Sequence, residues 1–544
     1  MDPRLIPSFR RNSTILVNSL CNIQRNRKSD PNTLPEQNEN FLCVPHPNDI
    51  LIRGCKSQEF QSTDPQPSLK RIESFTSLSV PEDFKFSKIE IKLLQSRWLY
   101  MIICIIFTAI SYMQWIQFSI IANLLVDFYK VSSNAVDWTS LVFMICYVFL
   151  VLPVSYFLDT KNSRQTALYG CFGTALGSWI KMFALNPNKF YILMIGQTIV
   201  AISQIFILQV PQTLSAVWFS PNEAFTVSGL AAFGGQLGIA LGFFITPWLV
   251  KRNGAATDIR LGIENICIFT ACLSTIILVI VFIGFKGKPK YPPSTVQAIL
   301  RTTSVQNKDS WKASLNSLKN KTLHLLLLSY GIHTGVQNSF STLLNQIILN
   351  YFPNSEQDAG NIGAILISTG LFGSLIFGFI IDMMQQYKST ALWVSRFSVV
   401  GMIFFYLALE SKSKILLYIS SMILGFFMTG YQTVGQELAL EIEYYNTESP
   451  VAALLNISSH VFGITFTVLL SWIEMQFGTW LEHICFILLL VLGTIFIGKS
   501  KFETNRKFVH EEIANEAEVL AQIESVPNIV VVPDDSIEGK LVKG

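Results

Sequence analysis

From Ser96 onward the chain is built of twelve apolar blocks, and that repetition constrains the fold more than any other feature. Crossing the hydrocarbon core of a bilayer takes about 20 residues of helix, and every backbone group there must find its partner within the segment. The blocks run approximately over 98–126, 136–158, 165–185, 190–213, 224–250, 264–285, 321–350, 361–383, 389–410, 413–440, 450–474 and 480–499. Only 14% of the 544 residues are charged and 50% are hydrophobic, whereas a soluble domain is charged at about a quarter of its positions. The expected fold is an all-α polytopic membrane protein with twelve transmembrane helices in two six-helix halves.

The blocks divide the chain into five expected regions. Residues 1–95, rich in Ser, Pro, Asn and Arg and without sustained periodicity, read as a disordered cytosolic tail. Residues 96–285 form the N-terminal half, 286–320 a polar linker, 321–500 the C-terminal half and 501–544 a second cytosolic tail. Orientation follows from basic residues, which collect on cytoplasmic loops. The linker carries Lys286, Lys288, Lys290, Arg301, Lys308, Lys312 and Lys319 against a single acid, Asp309. That places it, and with an even number of spans both tails, in the cytosol. Lys251 and Arg252 fall on the opposite side and oppose this assignment. The plasma membrane is the default host, with endosomal or mitochondrial membranes open.

Composition also excludes functions. The net charge of +3 comes from loops and tails, so no nucleic-acid partner is expected. The nine Cys show no CxxC pair or metal-ligand spacing and read as small buried hydrophobes. There is no nucleophile elbow, phosphate loop or His/Cys metal set, so neither an enzyme nor a cofactor is expected. No short apolar run with a cleavage site opens the chain, and the first span is expected to direct insertion.

The most informative stretch is Ser111-Tyr-Met-Gln-Trp-Ile-Gln-Phe-Ser-Ile-Ile-Ala-Asn123, inside the first block. Residues three and four apart share a helix face, which groups Tyr112, Trp115, Ser119 and Asn123. A lipid-facing stripe needs none of these groups, so a cavity or a neighbouring helix is expected there. An indole beside amides, without charge, suits a small cation, because the ring face attracts ammonium. Other polar stripes point inward too: Gln197 and Gln204 with Pro211; Tyr330, Thr334, Asn338, Ser341 and Asn345; and Asn456, His460, Gly463 and Thr467. No midplane Asp or Glu stands out to carry a coupling proton, which favours a uniporter. Asp137 reads as favourable to the helix dipole at the start of the second span, and Arg396 as snorkelling or paired.

Two short loops repeat between the halves. Leu158-Asp-Thr-Lys-Asn-Ser-Arg164 follows the second block and Ile381-Asp-Met-Met-Gln-Gln-Tyr-Lys388 the eighth. This resembles the loop motif of the major facilitator superfamily, which implies Asp159 with Arg164 and Asp382 with Lys388 as braces of a cytosolic gate. Glu437 and Glu441, closing the tenth block, are expected to pair with gate residues.

Longer matches are more specific. Gln114-Trp-Ile-Gln-Phe-Ser-Ile-Ile-Ala-Asn123, Phe128-Tyr-Lys-Val-Ser-Ser133, Asp137-Trp-Thr-Ser140, Gly235-Gln-Leu-Gly-Ile-Ala240, Lys288-Pro-Lys-Tyr-Pro-Pro-Ser294 and Phe426-Phe-Met-Thr-Gly-Tyr431 resemble the FLVCR family (feline leukaemia virus subgroup C receptor-related transporters). The resemblance runs from about 96 to 500. It implies alternating-access transport of choline or ethanolamine, with heme export also proposed for the family. It further implies an aromatic cage and two glutamines around the ammonium. Trp115 and Gln204 match that pattern. Asn338 stands where the cage tyrosine is expected, and His460 where the second glutamine is expected. Phe340 could replace the lost ring only if the helix broke near Gly335, since two residues turn a regular helix by about 200°. The leading expectation is a monomeric uniporter, in the lipid bilayer, of choline, ethanolamine or a related small amine. Export of heme or another hydrophobic metabolite and a transport-dead ligand sensor are the alternatives.

Overall fold

The computed structural model describes residues 94–158, 162–219, 223–250, 256–289, 291–292, 321–384, 386–442 and 448–500. Both expected tails and most of the expected linker lie outside these residues. The described regular structure is helical. In the first half come α1 (Ser96–Ile116), α2 (Ala122–Tyr129), α3 (Ser133–Leu158), α4 (Ser163–Lys181), α5 (Phe190–Trp218), α6 (Ala224–Leu249) and α7 (Ala256–Gly284). The second half holds α8 (Lys321–Tyr351), α9 (Glu356–Met384), α10 (Tyr387–Glu410), α11 (Lys414–Ile442), α12 (Glu448–Phe477) and α13 (Thr479–Lys499). α1 and α2 make one crossing, interrupted by a short 3-10 turn at Ser119–Ile121.

Twelve crossing segments therefore follow the twelve apolar blocks, and ten of them are long and apolar enough to span a bilayer on length and composition alone. The other two, α4 and α8, turn many polar residues toward protein. Ser178 and Lys181 on α4, and Ser329, His333, Gln337 and Asn345 on α8, are all buried. Lipid-facing positions are instead large and apolar, as at Phe149, Phe183, Ile283, Phe372 and Ile415. Low hydropathy here marks an inward face, not a soluble helix.

Packing is paired between the halves. In the first, α4 lies against α5 and α7, α1 against α6, and α3 against α5; in the second, α10 lies against α11 and α13, α8 against α12, and α9 against α11. The two halves meet through α6 with α9 and α3 with α12, which are equivalent pairs under that correspondence. Membrane helices have no hydrophobic drive toward one another, so small residues that admit close backbones set these contacts. A Cβ on Gly238 of α6 would stand 2.2 Å from the carbonyl oxygen of Ala109 on α1. One on Gly425 of α11 would stand 2.0 Å from that of Leu366 on α9. Helix ends are closed locally: Asn162 and Gln165 form a capping box on α4, and Gly478 (φ +87°) makes the left-handed turn from α12 into α13.

The helices define two ends of the bundle. The linker end carries the close of α7 and the start of α8; the far end carries the α2–α3 and α12–α13 turns. Gly425→Ala drives a methyl into backbone and should cost about 1–3 kcal/mol. It should lower the thermal midpoint in detergent. Gly378→Ala, with open space beside it, should leave the midpoint unchanged, and equal midpoints for the two variants would refute this account of the α9–α11 contact.

Candidate functional site

The interruption between α1 and α2 is the local feature that builds the site. The helical ladder of α1 ends with the Gln117 amide donating to Met113 at 3.1 Å, and the 3-10 turn begins only at Ser119. The Gln114 carbonyl is taken up from another helix: Gln197 Nε2 of α5 donates to it at 2.8 Å and to the Thr139 carbonyl of α3 at 3.3 Å. Trp115 sits at this interruption, buried, with its ring edge-to-face to Tyr112 at 6.4 Å. Gly235 of α6 makes room for Tyr112, since a Cβ there would stand 3.1 Å from the Tyr112 ring.

From Tyr112 the site extends across the halves. Its hydroxyl lies within electrostatic reach of those of Tyr147 on α3 and Tyr330 on α8. Tyr147 accepts from Asn456 Nδ2 of α12 at 3.4 Å and packs edge-on to the His460 ring at 4.7 Å. Tyr330 accepts from Gln436 Nε2 of α11 at 3.2 Å, and Gln236 of α6 donates to Gln432 of α11 at 3.2 Å. Asn338 donates to Ser459 of α12 at 3.2 Å. Gly463 lets Met144 and Asn338 meet α12, for its Cβ would lie 3.0 Å from Met144 Sδ and 3.4 Å from Asn338 Cβ. Among the buried polar atoms without a protein partner on these elements are Gln204 Nε2 of α5, Gln236 Oε1 of α6 and His460 Nδ1 of α12. A buried polar group left unpaired costs about 1–3 kcal/mol, so these atoms have most to gain from a polar ligand. The side chains named here are aromatic or neutral polar, with amide oxygens, hydroxyls and an imidazole to accept hydrogen bonds.

The family pattern of the Major Facilitator Superfamily matches residues 103–442. The choline/ethanolamine transporter FLVCR1 of Felis catus is 38% identical over 421 residues, 77% of this chain and 75% of that protein. The MFS-type transporter C09D4.1 of Caenorhabditis elegans is 37% identical over 426 residues, 78% and 72% respectively. The chain belongs to the FLVCR family of the major facilitator superfamily. A bacterial homologue of the lysosomal transporter Spinster, solved inward-facing and unoccupied, shares the fold with a TM-score of 0.58 at 12% identity, covering 75% of this chain and 97% of that one.

Within this FLVCR-family fold the expected site residues fall into separate groups. Tyr112 and Trp115 of α1 are linked through Tyr147 of α3 to His460 of α12, Asn338 of α8 bonds Ser459 beside His460, and Gln204 is buried on α5. Phe340 does not join them: α8 runs unbroken through Gly335, and Phe340 is packed between Phe405 and Phe486, at 5.1 and 5.7 Å. Gly335 serves a different need, the close approach of α12, where its Cβ would stand 2.7 Å from that of Phe462. Asn123 belongs to the far end, where its Nδ2 donates to Glu356 of α9 at 2.8 Å. Of the expected gate residues, Arg164 donates to the Phe282 carbonyl at 2.8 Å, Lys388 bonds the Ser500 carbonyl, and Glu437 is half-buried near the close of α11. Asp159 lies outside the described residues, as do the side chains of Asp382 and Glu441. Arg396 stacks on Trp393, 5.3 Å from the ring centroid.

Sequence reasoning missed the polar bonding between halves at the far end. Asp137 does more than face a helix dipole: it accepts from Gln346 of α8 at 2.8 Å and from Ser471 of α12 at 3.1 Å. Ser140 meets Thr342 at 3.1 Å, and Asn345 donates to the Ile120 carbonyl at 2.7 Å. Glu482, fully buried at the start of α13 with no partner for either oxygen, and Glu474 of α12 lie close enough to Asp137 to interact electrostatically. Glu482 falls in a first turn, where an acid reads as a routine dipole partner, so nothing in the sequence flagged it. Ser140→Cys with Thr342→Cys should form a disulfide across the halves under mild oxidation, because their side-chain oxygens are already 3.1 Å apart. Transport should stop on oxidation and return on reduction; full activity of the oxidised pair would show that these helices need not separate.

Proposed function

We propose that the chain is a facilitative uniporter of ethanolamine- and choline-type small amines, working by alternating access as a single chain in the plasma membrane. The observation that carries this reading is the Trp115–Tyr112 pair at the α1 interruption, which Tyr147 links to His460 and Gly235 to the α6 segment of Gln236, with unpartnered polar atoms on His460, Gln236 and Gln204. An indole face attracts an ammonium by about 0.5–2 kcal/mol, depending on how dry the site is. The relatives named choline/ethanolamine transporters support the substrate class. In this reading the linker end faces the cytosol with both tails, 1–95 and 501–544, and the far-end bonds hold the outward path shut.

The substrate balance favours ethanolamine. A primary ammonium donates hydrogen bonds that a trimethylammonium lacks, and Gln236 Oε1 and neutral His460 Nδ1 can accept them, while Gln204 Nε2 can donate to the substrate hydroxyl. Asn338 provides an amide where an aromatic ring would serve choline. Heme is disfavoured on the imidazoles: His333 donates from Nδ1 to the Ser329 carbonyl at 3.0 Å, accepts from Ser395 at 2.7 Å and stacks on Tyr431, so of His333 and His460 only His460 keeps an unpartnered ring nitrogen.

Cells expressing the protein should take up radiolabelled ethanolamine in preference to choline, and Trp115→Ala should abolish both at equal surface expression. Asn338→Tyr with His460→Gln should move the preference toward choline by about tenfold. Absence of uptake of either amine by surface-exposed protein would refute the reading. Uniport further requires that a protonophore, at clamped membrane potential, leave uptake unaltered; its collapse would assign Glu474 and Glu482 a coupling role instead.

A further inference from the structure

The first half buries a full lysine that the substrate reading does not use. Lys181, the last residue of α4, is 0% exposed in the interior of the bundle. Its Nζ donates to Gln114 Oε1 at 2.7 Å and to Gln197 Oε1 at 3.0 Å, and stands 5.4 Å from the Phe118 ring centroid. Burying an ammonium is costly unless it is fully bonded, so its partners are informative. Both are the side chains that define the α1 interruption. Gln197 caps the freed Gln114 carbonyl through Nε2 at 2.8 Å while Lys181 holds its Oε1, which fixes that amide's rotamer. The same Gln114 Oε1 also accepts from Ser178 at 2.9 Å, and Gln114 Nε2 donates to Ser274 at 3.2 Å. Gly196 makes the approach of α5 to Lys181 possible, since a Cβ there would stand 2.6 Å from Lys181 Cγ.

Lys181 is thus a three-helix clamp from α4 to α1 and α5, and its point of attachment is the residue before Trp115. We propose that Lys181 is a positioning residue for the substrate-facing side of the first span: by locking the Gln114 and Gln197 amides it sets where α1 stops and how Trp115 presents its ring. The inference rests on the reading that Trp115 contacts substrate. A cation–π contact depends steeply on ring placement, so loosening the clamp weakens binding before it alters turnover.

The test is ethanolamine uptake kinetics, normalised to surface protein, for Lys181→Met, Gln197→Met, Trp115→Phe and the double variants with Trp115→Phe. Lys181→Met keeps the aliphatic length and removes the donors. It should raise KM about tenfold with Vmax changed less than about twofold. In the Trp115→Phe background it should add little, because the ring it positions is already altered; Lys181→Arg, which retains two donors, should recover most of the loss. If Lys181→Met fails to reach the surface, Gln197→Met decides, since it leaves Lys181 bonded to Gln114 while removing the cap together with the Gln197 bonds to Lys181 and the Thr139 carbonyl. An unchanged KM with reduced surface protein or Vmax, or fully additive effects with Trp115→Phe, would overturn the proposal by making the clamp merely structural. No effect of Trp115→Phe or Trp115→Ala alone would instead sink the substrate reading, and leave the clamp to be judged on KM.

Discussion

A backbone carbonyl inside a bilayer has no water to turn to, and the first span of this protein interrupts its helix at membrane depth. An interruption there persists only where protein supplies the lost partners. Here the supply is a side-chain amide, Gln197, held in place by a buried ammonium, Lys181. The dependence runs outward from that arrangement. The end of α1 at Ile116 sets the placement of Trp115, which leans on Tyr112; Tyr112 fits against Gly235 of α6 and comes near Tyr147 and Tyr330. Gln117, buried with both amide atoms unpartnered one residue beyond the last turn of α1, shows that this satisfaction is incomplete. Each unpaired group of this kind costs about 1–3 kcal/mol. The site is therefore built at a place the fold holds at a cost, as is common where a chain must bend to work.

How far the sequence revealed this differs by level. The twelve crossings were legible because bilayer thickness imposes a length that apolar blocks advertise directly. The paired halves were legible from six blocks, a basic linker and six more, with an Asp-to-basic loop repeated after the second and eighth. Polar stripes pointed correctly toward the interior at Trp115, Asn338 and His460, since a helix face is a local property of spacing. What failed were inferences that need a partner's position. Phe340 was a stand-in ring only if α8 bent, and α8 instead uses Gly335 to admit α12. Asn123, on the same face as Trp115, ends at Glu356 because the interruption separates the two. Lys181 was not singled out at all, because a cation in the last turn of a helix suits the dipole and attracts no notice; only the packed fold turns it inward.

The bonds across the halves bear on how such a fold can move. At the far end they are mostly single hydrogen bonds between neutral groups or between a carboxylate and an amide: Ser140 with Thr342, Asn345 with a carbonyl, Gln346 and Ser471 with Asp137. A neutral bond of this kind contributes about 0.5–1.5 kcal/mol net, and one to a charged group about 1.5–3 kcal/mol. Breaking a buried ion pair by removing one partner costs about 3–5 kcal/mol, because a charge is left unpaired. An interface of weak bonds can part by a few kcal/mol and leave groups that water, once admitted, satisfies. The described ion pairs, by contrast, each lie within one half: Arg97–Glu223 joins the start of α1 to the residue before α6, and Lys414–Asp358 joins α11 to α9. Lys181 likewise stays within the first half. The described ion pairs lie within the halves, and the seam between them carries single hydrogen bonds, some of them to the carboxyls of Asp137 and Glu356. That division lets two stiff bodies rock about a central site without breaking an ion pair at every cycle.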